Sequence, residues 1–299
     1  MSYQITTAFV DQFGSTLQML AQQKGSRLRA TVGSESVRGN QAFFDQLGST
    51  EARIRTTRLG DSPLISTPHA RRRVTMLDYE WGDMIDDEDK LRTLIDPANG
   101  YVQAGMWALG RAIDDVIIGA ATGTAYTGVS GATAVPLPAT QKIAVTVGGT
   151  GGASLGLNIA KLIAAKSLFG KNDVDVEAGN MTMVVSQQQL DDLLAITEVR
   201  SSDYNSVKAL VRGEVDTYMG FKFVRTQRLT LDSTTGIRTC FCFVKDGIRL
   251  GLGQDMVSRV AERADKSFNW YAYAKMTLGG TRMEEVKVVE LACDETPST

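Results

Sequence analysis

The 299-residue chain is 43% hydrophobic and 22% charged with only 6 Pro, an ordinary globular composition that excludes a disordered or low-complexity polymer. Its 32 basic and 34 acidic residues leave a formal charge of −2, without the strong basic excess of a dedicated nucleic-acid binder. Cys240, Cys242 and Cys293 are too few for a secreted disulfide framework and place the chain in a reducing compartment, and no apolar run approaches the roughly 18 residues of a membrane span.

Charge is unevenly placed. Residues 1–75 hold ten Lys/Arg against five acids, whereas residues 76–100 hold eight acids against Lys90 and Arg92. Opposite blocks of this kind attract copies of one chain to each other. Met1–Gln4 lacks a basic region followed by an apolar one, so no export signal is expected. Phe9, Phe13, Leu17 and Leu20 recur at helical spacing in Thr6–Ala21, and Arg27–Asn40 carries turn chemistry around Gly33 and Gly39. Residues 1–50 therefore read as an extended arm with short helical pieces. Ala52-Arg53-Ile54-Arg55-Thr56 alternates like a strand, Gly60-Asp61-Ser62-Pro63 is turn chemistry, and Arg73–Trp81 reads as a longer returning strand. The resulting hairpin is too basic to fill a core alone and gains order by lying on another surface, with a neighbouring subunit the natural candidate.

Asp96–Thr122 reads as one long helix on which the rest is organised. Asp96 caps it, Pro97 suits its first position, and Val102, Met106, Leu109, Ile113, Val116, Ile117 and Ala120 form one apolar stripe. Arg111, Asp114 and Asp115 fall on the opposite side, and the rod is roughly 40 Å long. Gly100, Gly105 and Gly110 each cost it about 1 kcal/mol relative to Ala, so tertiary packing must hold it together.

Gly123–Ser154, rich in Gly, Ala and Thr, connects to a compact α/β module over Pro136–Lys245. Its elements are a helix at Leu155–Leu168, a buried strand at Met181–Val185, a capping box at Ser186–Gln189 opening a helix to Ile196, a helix at Asp203–Arg212, and strands at Phe221–Thr226 and Thr239–Lys245. Strand patterns return at Ile248–Leu252, Val257–Glu262, Asn269–Leu278 and Glu285–Ala292, with Gly279-Gly280 as a turn. These terminal strands are expected beside the long helix, making its domain discontinuous.

Catalytic chemistry finds little purchase. Asp83–Asp89 lacks the spacing and central Gly of a calcium loop, and Gly148–Gly152 fits no phosphate-loop spacing. Cys240, Cys242, Cys293 and His69 total four possible zinc ligands, but a lone Cys-x-Cys between Phe241 and Phe243 is better read as packing. His69 has no nucleophile beside it in sequence, and Ser130 does not match a nucleophile elbow. Arg71-Arg72-Arg73 is the strongest basic cluster, read first as pairing with acids of an adjacent subunit, with a solvated face and DNA contact as the alternatives.

The order of these parts resembles the major capsid protein of tailed bacteriophages, an α+β chain of the Hong Kong 97-type capsid fold. The resemblance is carried by Arg71–Asp87 with Tyr79-Glu80-Trp81-Gly82-Asp83, by Asp96-Pro97 through Gly110-Arg111-Ala112-Ile113-Asp114-Asp115, and by Trp270-Tyr271-Ala272-Tyr273 through Gly279-Gly280-Thr281-Arg282 to a final Val286–Leu291 strand. It implies an N-terminal arm (1–50), an extended hairpin loop (51–85), a peripheral domain with the spine helix (86–135 and 248–299) and an axial domain (136–247). Such a subunit forms pentamers and hexamers of an icosahedral virion shell around double-stranded DNA, assembled in the host cytoplasm with a scaffolding protein, a portal and in some cases a decoration protein, and needs no cofactor, metal or membrane. Arg53, Arg55, Arg58, Arg71, Arg72, Arg73, Asp83, Asp86, Asp87, Glu88 and Asp89 are the candidate intersubunit contacts. Some members crosslink through a hairpin Lys; no Lys occurs between Lys24 and Lys90, so a non-covalent shell is expected. A hairpin beginning near residue 51 leaves no long scaffolding segment, so a separate scaffolding protein is expected. The competing readings are an encapsulin-like nanocompartment and an unrecognised α/β enzyme.

Overall fold

The computed structural model describes residues 20–58, 62, 64–85, 98–149, 151–176, 179–196 and 217–296. The expected helices at Thr6–Ala21 and Asp203–Arg212, the Gly60–Pro63 turn and the Asp96-Pro97 cap lie wholly or largely outside these residues.

A long helix, α1 (Ala98–Thr122), is about 37 Å at 1.5 Å per residue. It lies on a four-stranded sheet ordered β1 (Gly33–Ser36), β12 (Ile248–Arg263), β13 (Asn269–Arg282), β4 (Leu77–Ile85). Leu109, Ile113, Ile117, Ile118 and Ala121 are buried and join the same core as Ala274, Met276 and Leu278 of β13. Two glycines explain how a Gly-bearing helix is held. A Cβ on Gly105 would lie 2.3 Å from the Trp81 ring, and one on Gly110 would lie 2.6 Å from the Cα of Gly25, so the indole and the arm each cross the helix where a side chain is missing.

Gly279-Gly280, expected as a turn, lies inside β13. A Cβ at Gly279 would sit 2.2 Å from the Thr75 carbonyl oxygen, and one at Gly280 would press on Val116 and Ala120, so the pair lets chain and helix pack close on the strand. The same crossing divides the expected strand Arg73–Trp81. The chain changes sheets at buried Met76, leaving β3 (His69–Thr75) in a sheet ordered β2 (Gln41–Leu47), β3, β5 (Ala125–Thr127), β6 (Thr133–Val135), while β4 continues in the first. The hairpin partner of β3 is therefore β2, paired antiparallel from Gln41↔Thr75 to Leu47↔His69, rather than Ala52–Thr56, which is not a strand. Five consecutive exposed residues with two Arg alternate in sequence but have no face to bury.

The third sheet has the order β7 (Lys142–Ile143), β14 (Val288–Asp294), β11 (Ile237–Val244), β8 (Met181–Val185), β10 (Phe221–Arg225), β9 (Thr217–Tyr218). All of β8 and the run Cys240–Val244 are buried, as the continuous apolar runs predict. Helices α2 (Ile159–Lys171) and α3 (Gln187–Ala195) belong to this part of the chain. Only half of the expected capping box forms. Ser186 Oγ accepts from the Gln189 N–H at 3.4 Å, but the Gln189 side chain accepts from the Leu157 N–H instead. β14 is a further correction: the last strand pairs with β11 from Ile237↔Asp294 to Phe243↔Val288, so the chain end returns to the α/β sheet and does not lie beside α1.

Two buried cations stitch these layers. Lys161 Nζ donates to the carbonyls of Leu155 (2.6 Å), Gly156 (3.0 Å) and Ala292 (2.8 Å), and its burial lowers its pKa. Arg282, fully buried, donates to the carbonyls of Ala121 (3.0 Å), Gly123 (2.7 Å) and Val135 (2.9 Å), satisfying the C-terminal end of α1 from a neighbouring strand.

Candidate self-association site

Between β2 and β3 the chain makes a long excursion over residues 48–68, closed at its base by Gly48 N–H donating to Pro68 O at 2.9 Å. Its apolar side chains Ile54 and Leu64 are 91% and 93% exposed, far more than a lone monomer gains by showing them to water. Arg53, Arg55 and Arg58 are exposed on the same excursion and form no ion pair with another described residue; Arg55 donates only to the carbonyls of Thr57 and Arg58.

The triple arginine behaves differently because side chains alternate along β3. Arg71 pairs with Asp45 at 3.3 Å on the exposed side and lies 5.4 Å from the Phe43 ring centroid. Arg73 stacks 4.7 Å from the Tyr126 centroid, with its Nε lacking an acceptor among the described residues. Arg72 points the other way and is buried. Its Nε donates to Met283 O at 2.8 Å and its Nη2 to both Glu285 carboxylate oxygens at 2.8 and 2.7 Å. Arg72, expected at an intersubunit contact, is thus committed within its own chain. Asp83 is half-buried on β4 and accepts from the Met84 N–H at 2.8 Å. Asp86, Asp87, Glu88 and Asp89 lie outside the described residues.

The most heavily coordinated carboxylate is one that sequence reading put on the solvent side. Asp114 is fully buried and accepts from Gln23 Nε2 (2.5 Å), Ser26 Oγ (2.5 Å), and the backbone N–H groups of Arg27 and Leu28 (3.1 Å each). It fixes the arm across α1 at the Gly110 contact, helped by Arg111 donating to Gln22 Oε1 and Lys24 lying 5.5 Å from the Trp107 ring. Asp115, its neighbour, faces outward and takes a double hydrogen bond from Arg228, which raises the Arg228 pKa. Downstream, Arg29 makes two hydrogen bonds to Asp255 at 2.9 and 2.6 Å, which hold the Asp255 carboxyl below its ordinary value. Residues 22–29 of the arm are therefore fixed on the body of the subunit.

Candidate metal ligands do not converge. Cys240, Cys242 and Cys293 are free and buried in the six-stranded sheet, whereas His69 is exposed on β3 in a different sheet. Among the described residues no group of three or more His, Cys, Asp or Glu could hold a metal ion. No described helix is long and apolar enough to cross a membrane.

An arm locked on a spine helix and an excursion of exposed apolar and basic side chains are features of a building block. Residues 5–295 match the family described as phage capsid protein. The chain belongs to that family. Solved structures agree on the fold. The capsid of cyanophage P-SCSP1u is similar with a TM-score of 0.74 at 16% identity, covering 98% of this chain and 95% of that one. The capsid of Ralstonia phage GP4 aligns with a TM-score of 0.72 at 10% identity, over 97% and 96% of the two chains. The capsid asymmetric unit of cyanophage Pam1 gives 0.68 at 13% identity, over 98% of each. No curated protein matches by sequence. The phage capsid protein described here thus has the Hong Kong 97-type α+β fold, and the virion capsid is where the family places it.

Proposed function

We propose that this chain is the major capsid protein of a tailed bacteriophage, and that it assembles through pentamers and hexamers into an icosahedral, non-covalent shell around double-stranded DNA, with a separate scaffolding protein, a portal and in some shells a decoration protein, in the host cytoplasm. The observation that carries this reading is the 48–68 excursion: Ile54, Leu64 and three arginines are displayed on it, and none of the arginines forms an ion pair with another described residue. Burying two such aliphatic side chains on a neighbour yields about 3–6 kcal/mol per contact, and a closed shell repeats it at every subunit. Arg53, Arg55, Arg58, Arg71 and Arg73 meet acids of adjacent copies, drawn from Asp83, Asp86, Asp87, Glu88 and Asp89. A structural role of this kind calls for no catalytic activity, and membership of the phage capsid protein family supports it.

Expression with a scaffolding protein, followed by size-exclusion chromatography and electron microscopy, tests the reading. Megadalton icosahedral particles are expected; a stable small oligomer with and without scaffold refutes it. Particles filled with cargo enzyme instead of DNA would favour the nanocompartment alternative, and ladders of covalent oligomers on denaturing gels would refute the non-covalent shell.

A further inference from the structure

The six-stranded α/β module is joined to the layer of α1 by different means at the two ends of its sheet. At one end the chain itself crosses: at residues 136–141 into β7, at 245–247 between β11 and β12, and at 283–287 between β13 and β14. The crossings sit together. β11 leaves at Val244 beside Met181 of β8, β14 enters at Val288 beside Phe243, and β7 enters at Lys142 beside Glu290. Met283 N–H donates to Gly247 O at 2.8 Å and draws two of the crossings side by side.

At the other end, about 13 Å along β8, no crossing occurs among the described residues, and the arm makes the join. β10 ends at Arg225 beside Val185, the last residue of β8. Arg27 Nη1 donates to Arg225 O at 2.6 Å, and Thr226 Oγ1 donates to Gln23 Oε1 at 3.4 Å. The same two arm residues hold Asp114 of α1, through Gln23 Nε2 and the Arg27 N–H. Arg228 adds its double hydrogen bond to Asp115. Helix α1 itself packs on β4, β12 and β13, all in the other sheet. The apolar core continues across the junction from Leu28 and Ile117 to Met183 and Phe241, but apolar contact is non-directional. Directed hydrogen bonds at the end away from the crossings are what fix an angle. Arg27, Arg228 and Asp115 are exposed, so these links exchange with water at small cost.

We propose that Gln23 and Arg27 of the arm, with Arg228, form a releasable clasp that sets the angle of the α/β module to α1. Closed, it holds one angle; open, it lets the module turn about the three crossings. This rests on the shell reading, in which one sequence fits rings of five and of six copies, whose neighbours are turned through different angles. A clasp of exposed polar links opposite a covalent hinge gives one chain two settings, and the ring contact that fits one setting better selects it.

Arg27→Met combined with Arg228→Met tests the clasp, because it removes links to the module while the arm keeps its backbone hold on Asp114. The three native thiols are buried, so spin labels at Gln103→Cys on α1 and Ser167→Cys on α2, both exposed positions, report the angle as a distance. In the unassembled full-length chain, the labelled parent should give one narrow distance and the double variant a distribution at least about twofold broader. Equal distributions overturn the clasp. Arg27→Met alone should broaden the distribution to a lesser extent, which keeps the test open if the pair melts early. Assembled with scaffold, the double variant should give shells of mixed diameter on electron micrographs; uniform shells overturn the assigned consequence. The distance is measured before assembly. A variant that stays rigid and builds shells therefore sinks the clasp alone, whereas a wild type that builds no shell while its clasp passes the distance test sinks the capsid reading alone.

Discussion

Replacing Asp114 with Ala removes the acceptor for four donors at once: Gln23 Nε2, Ser26 Oγ and the N–H groups of Arg27 and Leu28. A hydrogen bond to a charged acceptor contributes about 1.5–3 kcal/mol, and a buried donor left unpaired costs about 1–3 kcal/mol. The four share one carboxylate and are not additive, and the half-buried Gln23 and Ser26 regain water. The loss concentrates on the two backbone amides, about 3–4 kcal/mol, with Leu28, fully buried in the main core, drawn out alongside. The stability of the rest of α1 against β13 is untouched, so the consequence is local opening rather than global unfolding. Hydrogen exchange of the unassembled subunit reads it directly: at 1.36 kcal/mol per decade, the Arg27 and Leu28 amides should exchange roughly 150- to 900-fold faster, while β11 amides keep their protection. Unchanged exchange at Arg27 and Leu28 would show that the arm is held by something other than this carboxylate.

Arg282→Met should lower the unfolding free energy by about 3–5 kcal/mol in denaturant titration, because the carbonyls of Ala121, Gly123 and Val135 lose their donor together; a loss under about 1 kcal/mol would show water replacing it. Glu295 provides a pH test. Burial pushes its pKa up, but hydrogen bonds from Ser186, Arg238 and Gln189 outweigh this and bring it below the ordinary glutamate value. A depressed carboxylate contributes stability above the unfolded pKa of 4.5 that is lost as pH falls through the folded value, so Glu295→Gln should flatten the acid limb of the stability–pH curve; an unaltered acid limb refutes the link. The thiol of Cys242 is pushed far up by burial, and that of Cys240 by its hydrogen bond to Cys293 and then by burial. Native subunits should therefore resist a thiol reagent that modifies Cys240, Cys242 and Cys293 after denaturation, and rapid labelling of the native protein would contradict the packing.

What could be read from the sequence was whatever a single periodicity controls. The α1 stripe through Leu109, Ile113 and Ile117 and the continuous apolar runs at Met181–Val185 and Cys240–Val244 bury as their spacing requires. Misreadings fall where two elements meet. Asp114 lies one step from Ile113 on the helical wheel, and its carboxylate looks solvent-facing until the arm, some ninety residues earlier, arrives to cover it. Arg72 looks like one third of a basic patch until alternation turns it toward Glu285, more than two hundred residues away. Gly279-Gly280 carries turn composition, yet both glycines are required by partners distant in sequence, the Thr75 carbonyl and the side chains of Val116 and Ala120. Residue type announces an unusual need, such as a charge in an apolar stripe or a glycine in a helix or strand, but only the partner tells which need it is.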